Sequence, residues 1–180
     1  IWLKFVKKDV IFKGNKDFSL YLLGEISENE YKDEYAKYLT AQVDNCQFLG
    51  NESGDIYLGT WNKGDKPYTV NVKDSLIDGQ NVESKNRAIS VASGSIVTLD
   101  NTEIKNKHAD GWYGVAIGSY KEGSTVNITN HTRIYNNKGT SAAGVAAWSG
   151  GLVNIDETSK VYDNDSSRYG DDLYVRDKDS

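Results

Sequence analysis

The chain has 180 residues, a formal net charge of −5, 38% hydrophobic residues, 17 glycines and a single proline, Pro67. That length fits one domain, 1–180. The acidic balance speaks against a nucleic-acid or anionic-membrane partner, and no apolar run reaches the roughly 20 residues that a spanning helix needs. The one cysteine, Cys46, excludes an intrachain disulfide. It stands near a turn between Val43 and Phe48, far in sequence from His108 and His131, and reads as a structural thiol rather than a nucleophile. With no methionine and an Ile1-Trp2-Leu3 start, the chain reads as a processed or excised piece.

Six similar phrases follow one another. The first, about 1–25, carries Phe12-x-x-Asn15 and then Leu20-Tyr21-Leu22. Next, Ser27-Glu28-Asn29-Glu30 has the form of a capping box, and Tyr31, Tyr35, Tyr38 and Leu39 recur at helical spacing, predicting a short lateral helix near 29–38. The second phrase reads Ala41-x-Val43, Phe48-x-x-Asn51 and Ile56-Tyr57-Leu58, and a charged loop, 61–67, follows it. The third reads Val70-x-Val72, Ile77-x-x-Gln80 and Ile89-Ser90-Val91. The fourth reads Val97-x-Leu99, Ile104-x-x-Lys107 and Val115-Ala116-Ile117. The fifth reads Val126-x-Ile128, Ile134-x-x-Asn137 and Val145-Ala146-Ala147. The sixth, about 152–180, reads Val153-x-Ile155, Val161-x-x-Asn164 and Leu173-Tyr174-Val175.

From Val43 the equivalent residues step by 29, 27, 29 and 27. A repeat of that length, alternating with period two, is the signature of stacked β-coils. The expected fold is all-β: a right-handed parallel β-helix of about six coils, each with three short strands. Val126, Ile128, Ile134, Val145 and Ile155 should point inward, and Asn127, Thr129 and Tyr135 outward. Gly59, Ala92 and Gly118 read as small residues that end third strands at tight corners. Asn15, Asn51, Asn137 and Asn164 read as a ladder, each amide bonding to the coil above or below, with breaks at Gln80 and Lys107. A second polar row, Asn45, Asp74, Asn101, Asn130 and Glu157, reads as turn chemistry, since Asn and Asp tolerate left-handed backbone.

The Phe-x-x-Asn motifs at Phe12–Asn15 and Phe48–Asn51, paired with glycine-rich apolar strands at Gly114-Val115-Ala116-Ile117 and Ala143-Gly144-Val145-Ala146, resemble the repeats of the polymorphic membrane protein family of surface adhesins. That resemblance implies a section of a large secreted or cell-surface protein displaying a long β-helix for adhesion. A host or environmental glycan, or a surface protein, would be its partner.

Stacking the coils would line up Trp61, Tyr120 and Trp148 along the turn after the third strand. Such a row reads first as corner covers for the core, and it also suits pyranose stacking. Trp112, Tyr113, Arg168 and Tyr169 mark the opposite edge. Asp163, Asp165, Asp171 and Asp172 with Arg168 are the best local set for calcium; no other cofactor is expected. Four glycan-acceptor patterns occur at Asn51, Asn127, Asn130 and Asn164, of which the ladder positions should be inaccessible. Nothing matches a phosphate loop, zinc site or nucleophile elbow. The favoured function is therefore a non-enzymatic stalk or adhesion domain, extracellular or at the cell surface. The alternative is a polysaccharide lyase or glycoside hydrolase of the pectate-lyase-like class. A solenoid end exposes a coil of unpaired backbone, so further coils or a second subunit stacked head to tail should cover at least one end.

Overall fold

Period-two alternation makes the strands, and left-handed corners turn them. In a computed structural model of the chain, residues 4–23, 40–59, 67–92, 94–109 and 116–176 are described, and among them there is no helix. The segment 29–38, Trp61, Trp112 and Tyr113 lie outside these residues.

The first coil holds β1 (Lys4–Lys8), β2 (Ile11–Lys13) and β3 (Leu20–Leu23), and the second β4 (Thr40–Asp44), β5 (Gln47–Leu49) and β6 (Ile56–Gly59). The third holds β7 (Thr69–Lys73), β8 (Leu76–Asp78), β9 (Glu83–Ser84) and β10 (Ile89–Ala92). The fourth holds β11 (Ile96–Asp100), β12 (Glu103–Lys105), β13 (His108–Ala109) and β14 (Ile117–Tyr120). The fifth holds β15 (Thr125–Thr129), β16 (Arg133–Tyr135), β17 (Lys138–Gly139) and β18 (Val145–Trp148). The sixth holds β19 (Leu152–Ile155), β20 (Lys160–Tyr162), β21 (Asp165–Ser166) and β22 (Leu173–Arg176).

Equivalent strands pair in parallel into three six-stranded sheets: A (β1-β4-β7-β11-β15-β19), B (β2-β5-β8-β12-β16-β20) and C (β3-β6-β10-β14-β18-β22). The chain is a parallel β-solenoid. Three strands per coil is too few for its later part, where β9, β13, β17 and β21 add a four-stranded sheet D. Two-residue strands carry no alternation to read, so their sequence has no signature.

At the A–B corner Asp9, Asn45, Asp74, Asn101 and Asn130 take φ between 48° and 55°. Short polar side chains that bond locally tolerate this region best. Asn45 Nδ2 donates to Asp9 Oδ1 at 2.6 Å, and Asn101 Nδ2 to Asp74 Oδ1 at 2.7 Å. In the sixth coil the carboxylate that joins this corner is Asp156 rather than the expected Glu157: Asp156 Oδ2 accepts the Asn130 N–H.

The core is a set of columns. Val43, Val72, Leu99 and Ile128 stack in register in sheet A, Phe48, Ile77, Ile104 and Ile134 in sheet B, and Ile56, Ile89, Ile117 and Val145 in sheet C. All are buried, and each contributes on the order of 1.5–3 kcal/mol relative to exposure. Cys46 is buried as well, in an inner column with Ser75; its N–H donates to Ser75 Oγ at 3.0 Å.

Two expectations need correction. In the fourth coil the third strand is Ile117–Tyr120, two residues later than the Val115–Ile117 reading, with Ile117 paired to Ile89 and Val145. The inward partner of Ile117 is then Ser119, and a hydroxyl in the core is tolerated because Ser119 Oγ donates to the Ser124 carbonyl at 3.0 Å. Gly118 consequently lies inside the strand and does not end it. Ile155, expected to be buried, is 38% exposed. It continues the core column of Ile128, but it belongs to the last strand of sheet A, and among the described residues no further strand packs beyond it.

Candidate functional site

The asparagine ladder forms, with one bridged gap. Asn51 Oδ1 accepts the Asn15 N–H at 3.0 Å and Asn15 Nδ2 at 3.2 Å. Asn164 Oδ1 accepts the Asn137 N–H at 3.1 Å and Asn137 Nδ2 at 2.9 Å. Gln80 falls out of line, exposed and at φ 51°. Lys107 stays in line through its backbone, donating N–H to Asn137 Oδ1 at 3.0 Å. Its buried side chain crosses the gap left by Gln80 and reaches the second coil, where Nζ donates to Asp55 Oδ2, the Ser53 carbonyl and the Asn51 carbonyl.

Of the four acidic residues expected to suit calcium, two accept hydrogen bonds within the fold, Asp171 and Asp172. Asp163 is a corner residue at φ 53°. Asp171 Oδ1 accepts the Ser166 N–H at 2.9 Å. Asp172 Oδ1 accepts the Asn164 N–H at 3.1 Å and Asn164 Nδ2 at 2.8 Å, the pair of bonds that the next coil's asparagine makes elsewhere. Asp165 is exposed on β21. Among the described residues no group of carboxylates, His and Cys is placed to hold a metal.

Of the expected aromatic edge, Tyr120 and Trp148 are register partners. Trp148 is only 6% exposed. Gly118 leaves the space its ring fills: a Cβ there would lie 2.8 Å from the indole. The Arg87 guanidinium sits over the same ring, 5.0 Å from its centroid, and Tyr174 packs against it edge-on. These rings form a small cluster with Ala142 and Ala146 on the outside of sheet C. Of the potential glycan acceptors, Asn51 and Asn164 are buried in the ladder, whereas Asn130 is exposed.

A more accessible arrangement lies on the outside of sheet B. The period-two strands put Glu103 beside Arg133, and Lys105 beside Tyr135, which in turn neighbours Tyr162. Glu103 Oε1 accepts Lys105 Nζ at 3.0 Å and the Tyr135 hydroxyl, and Oε2 accepts Arg133 Nη2 at 3.2 Å. Burial pushes the Glu103 carboxyl up, but the Tyr135 hydroxyl, Lys105 and Arg133 outweigh it and hold the group below its ordinary range. Partial burial and the neighbouring carboxylate hold the Tyr135 hydroxyl above its usual value. The Tyr135 and Tyr162 rings stack with centroids 5.2 Å apart and planes 10° from parallel. Beside them a shallow recess at the A–B corner is lined by Asp74, Asn101, Thr102, Glu103, His131 and Arg133.

Chemically this face offers a stacked pair of tyrosine rings next to a fixed carboxylate, an amine and a guanidinium. The residues' types gave no hint of it. The signal was their spacing: Tyr135 and Tyr162 are 27 apart and Glu103 and Arg133 30 apart, one coil in each case. No protein-family model, curated protein or solved structure matches this chain.

Proposed function

We propose that the chain is a non-enzymatic section of an extracellular surface protein, a rigid stalk or adhesion module that binds a glycan on the outside of sheet B. The observation that carries this reading is the stacked Tyr135–Tyr162 pair beside the Glu103–Lys105–Arg133 cluster. Pyranose rings stack their C–H faces on aromatic rings, and their hydroxyls bond to fixed charged groups. β12 and β16, which carry Glu103, Lys105, Arg133 and Tyr135, are held on both sides by parallel neighbours, which gives these groups a fixed geometry. Arg133, whose side chain is about half exposed, suits the carboxylate of an acidic sugar. The resemblance of the repeats to those of the polymorphic membrane protein adhesins supports the same cell-surface setting.

The test is a glycan array followed by calorimetry on the best ligand. Tyr135→Ala and Tyr162→Ala should each weaken binding about tenfold or more, a loss of about 1.4 kcal/mol, whereas Trp148→Phe should leave it unchanged. Binding that survives loss of both tyrosines would move the site elsewhere. Release of unsaturated or reducing ends from an acidic polysaccharide would replace this reading with the enzymatic one.

A further inference from the structure

Two coils repeat one outward pair. The fifth coil reads Arg133-Ile134-Tyr135 and the sixth Lys160-Val161-Tyr162, 27 positions on. The register sets Arg133 beside Lys160 and Tyr135 beside Tyr162. Each coil therefore puts a cation and a tyrosine on the outside of sheet B, two residues apart on one strand. The first four coils do not carry this pair at the same positions; the fourth has Glu103 and Lys105 there. Ile134 and Val161 point into the core. A lane floored by backbone thus runs between the cations and the tyrosines, along the solenoid axis. Residues two apart on a strand are about 6.6 Å from each other, and neighbouring strands about 4.8 Å.

The lane is electropositive on a chain whose net charge is −5. The outward positions of β12, β16 and β20 hold three cations, two tyrosines and one carboxylate. That carboxylate, Glu103, already accepts from Lys105 and Arg133. The same two cations flank the Tyr135 ring, each 6.0 Å from its centroid. Arg133 gives Nη2 to Glu103, but a guanidinium has five N–H donors in a planar fork. Among the described residues no carboxylate pairs with Lys160. Two cations one coil apart are left for a ligand.

Consecutive rings of an extended polysaccharide advance by a step close to that between neighbouring strands. A sugar chain laid in the lane therefore passes about one coil per residue. If each residue bears a carboxylate, Arg133 meets one through its fork and Lys160 meets the next as a point charge. A single acidic sugar engages only one of them. We propose that the site takes a polyuronate, a polysaccharide with a carboxylate on consecutive residues, laid along the solenoid axis with one residue on β16 and the next on β20. This rests on the glycan reading above and names the class of ligand.

The test is calorimetry with the monomer, dimer and tetramer of galacturonic, glucuronic and mannuronic acid. The same oligomers with their carboxyls reduced to alcohols, and a sulfated glucan, are the comparison arms. For the uronate that binds best, the dimer should bind about tenfold tighter than the monomer, and reduction should cost about tenfold or more. Affinity should fall as salt rises. Arg133→Gln and Lys160→Gln, both at outward positions, should each weaken dimer binding about tenfold and remove most of its advantage over the monomer, with unchanged circular dichroism melts. Lys13→Gln, on the same face in the first coil, should change nothing. Reduced oligomers that bind as tightly as the acids, in a way that Tyr135→Ala abolishes, would overturn this proposal and leave the glycan reading standing. So would a preference for the sulfated glucan, or a dimer no tighter than the monomer. No binding in any arm, with none on the glycan array, would overturn both.

Discussion

Lys107 Nζ lies 2.9 Å from Asp55 Oδ2, with both side chains sealed from solvent and 52 positions apart in sequence. The pair spans the third coil. Asn51 Nδ2 also donates to Asp55 Oδ1, at 2.6 Å, so one carboxylate closes the upper ladder segment and receives the lysine from below. Burial pushes the Asp55 carboxyl above its ordinary range, against the pull of Lys107 and Asn51. A buried charge left without its partner is costly, about 3–5 kcal/mol. Urea denaturation should therefore show losses of that order for Lys107→Ala and for Asp55→Ala. The double variant Lys107→Met/Asp55→Asn removes both charges and keeps an acceptor for Asn51, so it should lose much less. In Lys107→Met alone the carboxyl rises further. The native state then holds a proton that the unfolded state releases, so stability should fall as pH rises above the ordinary carboxylate value of 3.8. Single variants within experimental error of wild type would refute this account of the pair.

Asp172 ends the lower ladder segment from within its own coil. Its Oδ1 takes both donors of Asn164. Asp172→Ala leaves the Asn164 N–H without an acceptor, while Nδ2 keeps the Ile134 and Tyr162 carbonyls, and it should cost about 1–3 kcal/mol. Asp172→Asn retains a carbonyl oxygen and should cost less. Amide exchange at Asn164 separates this role from a general loosening: it should accelerate in Asp172→Ala while exchange at Ile104 and Ile134 stays slow.

The columns of Val, Ile and Leu were legible because every inward position of an inner coil must be apolar, and the step of one coil recurs. The reading fails where that rule relaxes. Ser119 is inward but satisfied by a backbone carbonyl, and Ile155 is inward by register but lies at an edge. The ladder was legible at its four asparagines. The long reach of Lys107 was not, since nothing local to Lys107 points to Asp55. Outward residues follow no hydrophobic rule, so Glu103, Arg133 and Tyr162 emerge only once the register is known. Trp148 looks like an exposed binding ring until Gly118 is seen to make room for it on the outside of sheet C.

Asp156 gives a pH signature. Its Oδ2 accepts the Asn130 N–H at 2.8 Å, and its Oδ1 accepts the N–H groups of Thr158 and Ser159 and the Thr158 hydroxyl. These donors, the Asn130 amide foremost, lower its pKa from 3.8 to about 2. Between those values the unfolded chain binds the proton and the native chain does not, so the contribution is present above 3.8 and lost as pH falls through about 2. Asp156→Asn should therefore melt lower than wild type at neutral pH, and the two melting curves should converge near pH 2. A constant offset at every pH would remove the carboxylate from the explanation.

Gly79, in the third coil, sits directly against the backbone of the fourth. A Cβ there would come within 2.4 Å of the Asn106 carbonyl oxygen and 2.6 Å of Lys107 Cα. Both contacts are backbone, so relief requires moving the chain that carries Lys107. Gly79→Ala should cost about 1–3 kcal/mol, the usual penalty for overpacking. Gly14 is the control: its φ is 62° but nothing lies within 4 Å of its Cβ position, so Gly14→Ala carries only the left-handed backbone penalty of about 1–2 kcal/mol. The two differ in what they couple to. Displacing Lys107 should loosen its contact with Asp55, so the losses from Gly79→Ala and Lys107→Met should combine to less than their sum, by about 0.5 kcal/mol or more. Gly14→Ala and Lys107→Met, at well-separated sites, should add. Strict additivity in the Gly79 pair would show that this glycine's close approach and the buried ion pair are independent features of the fold.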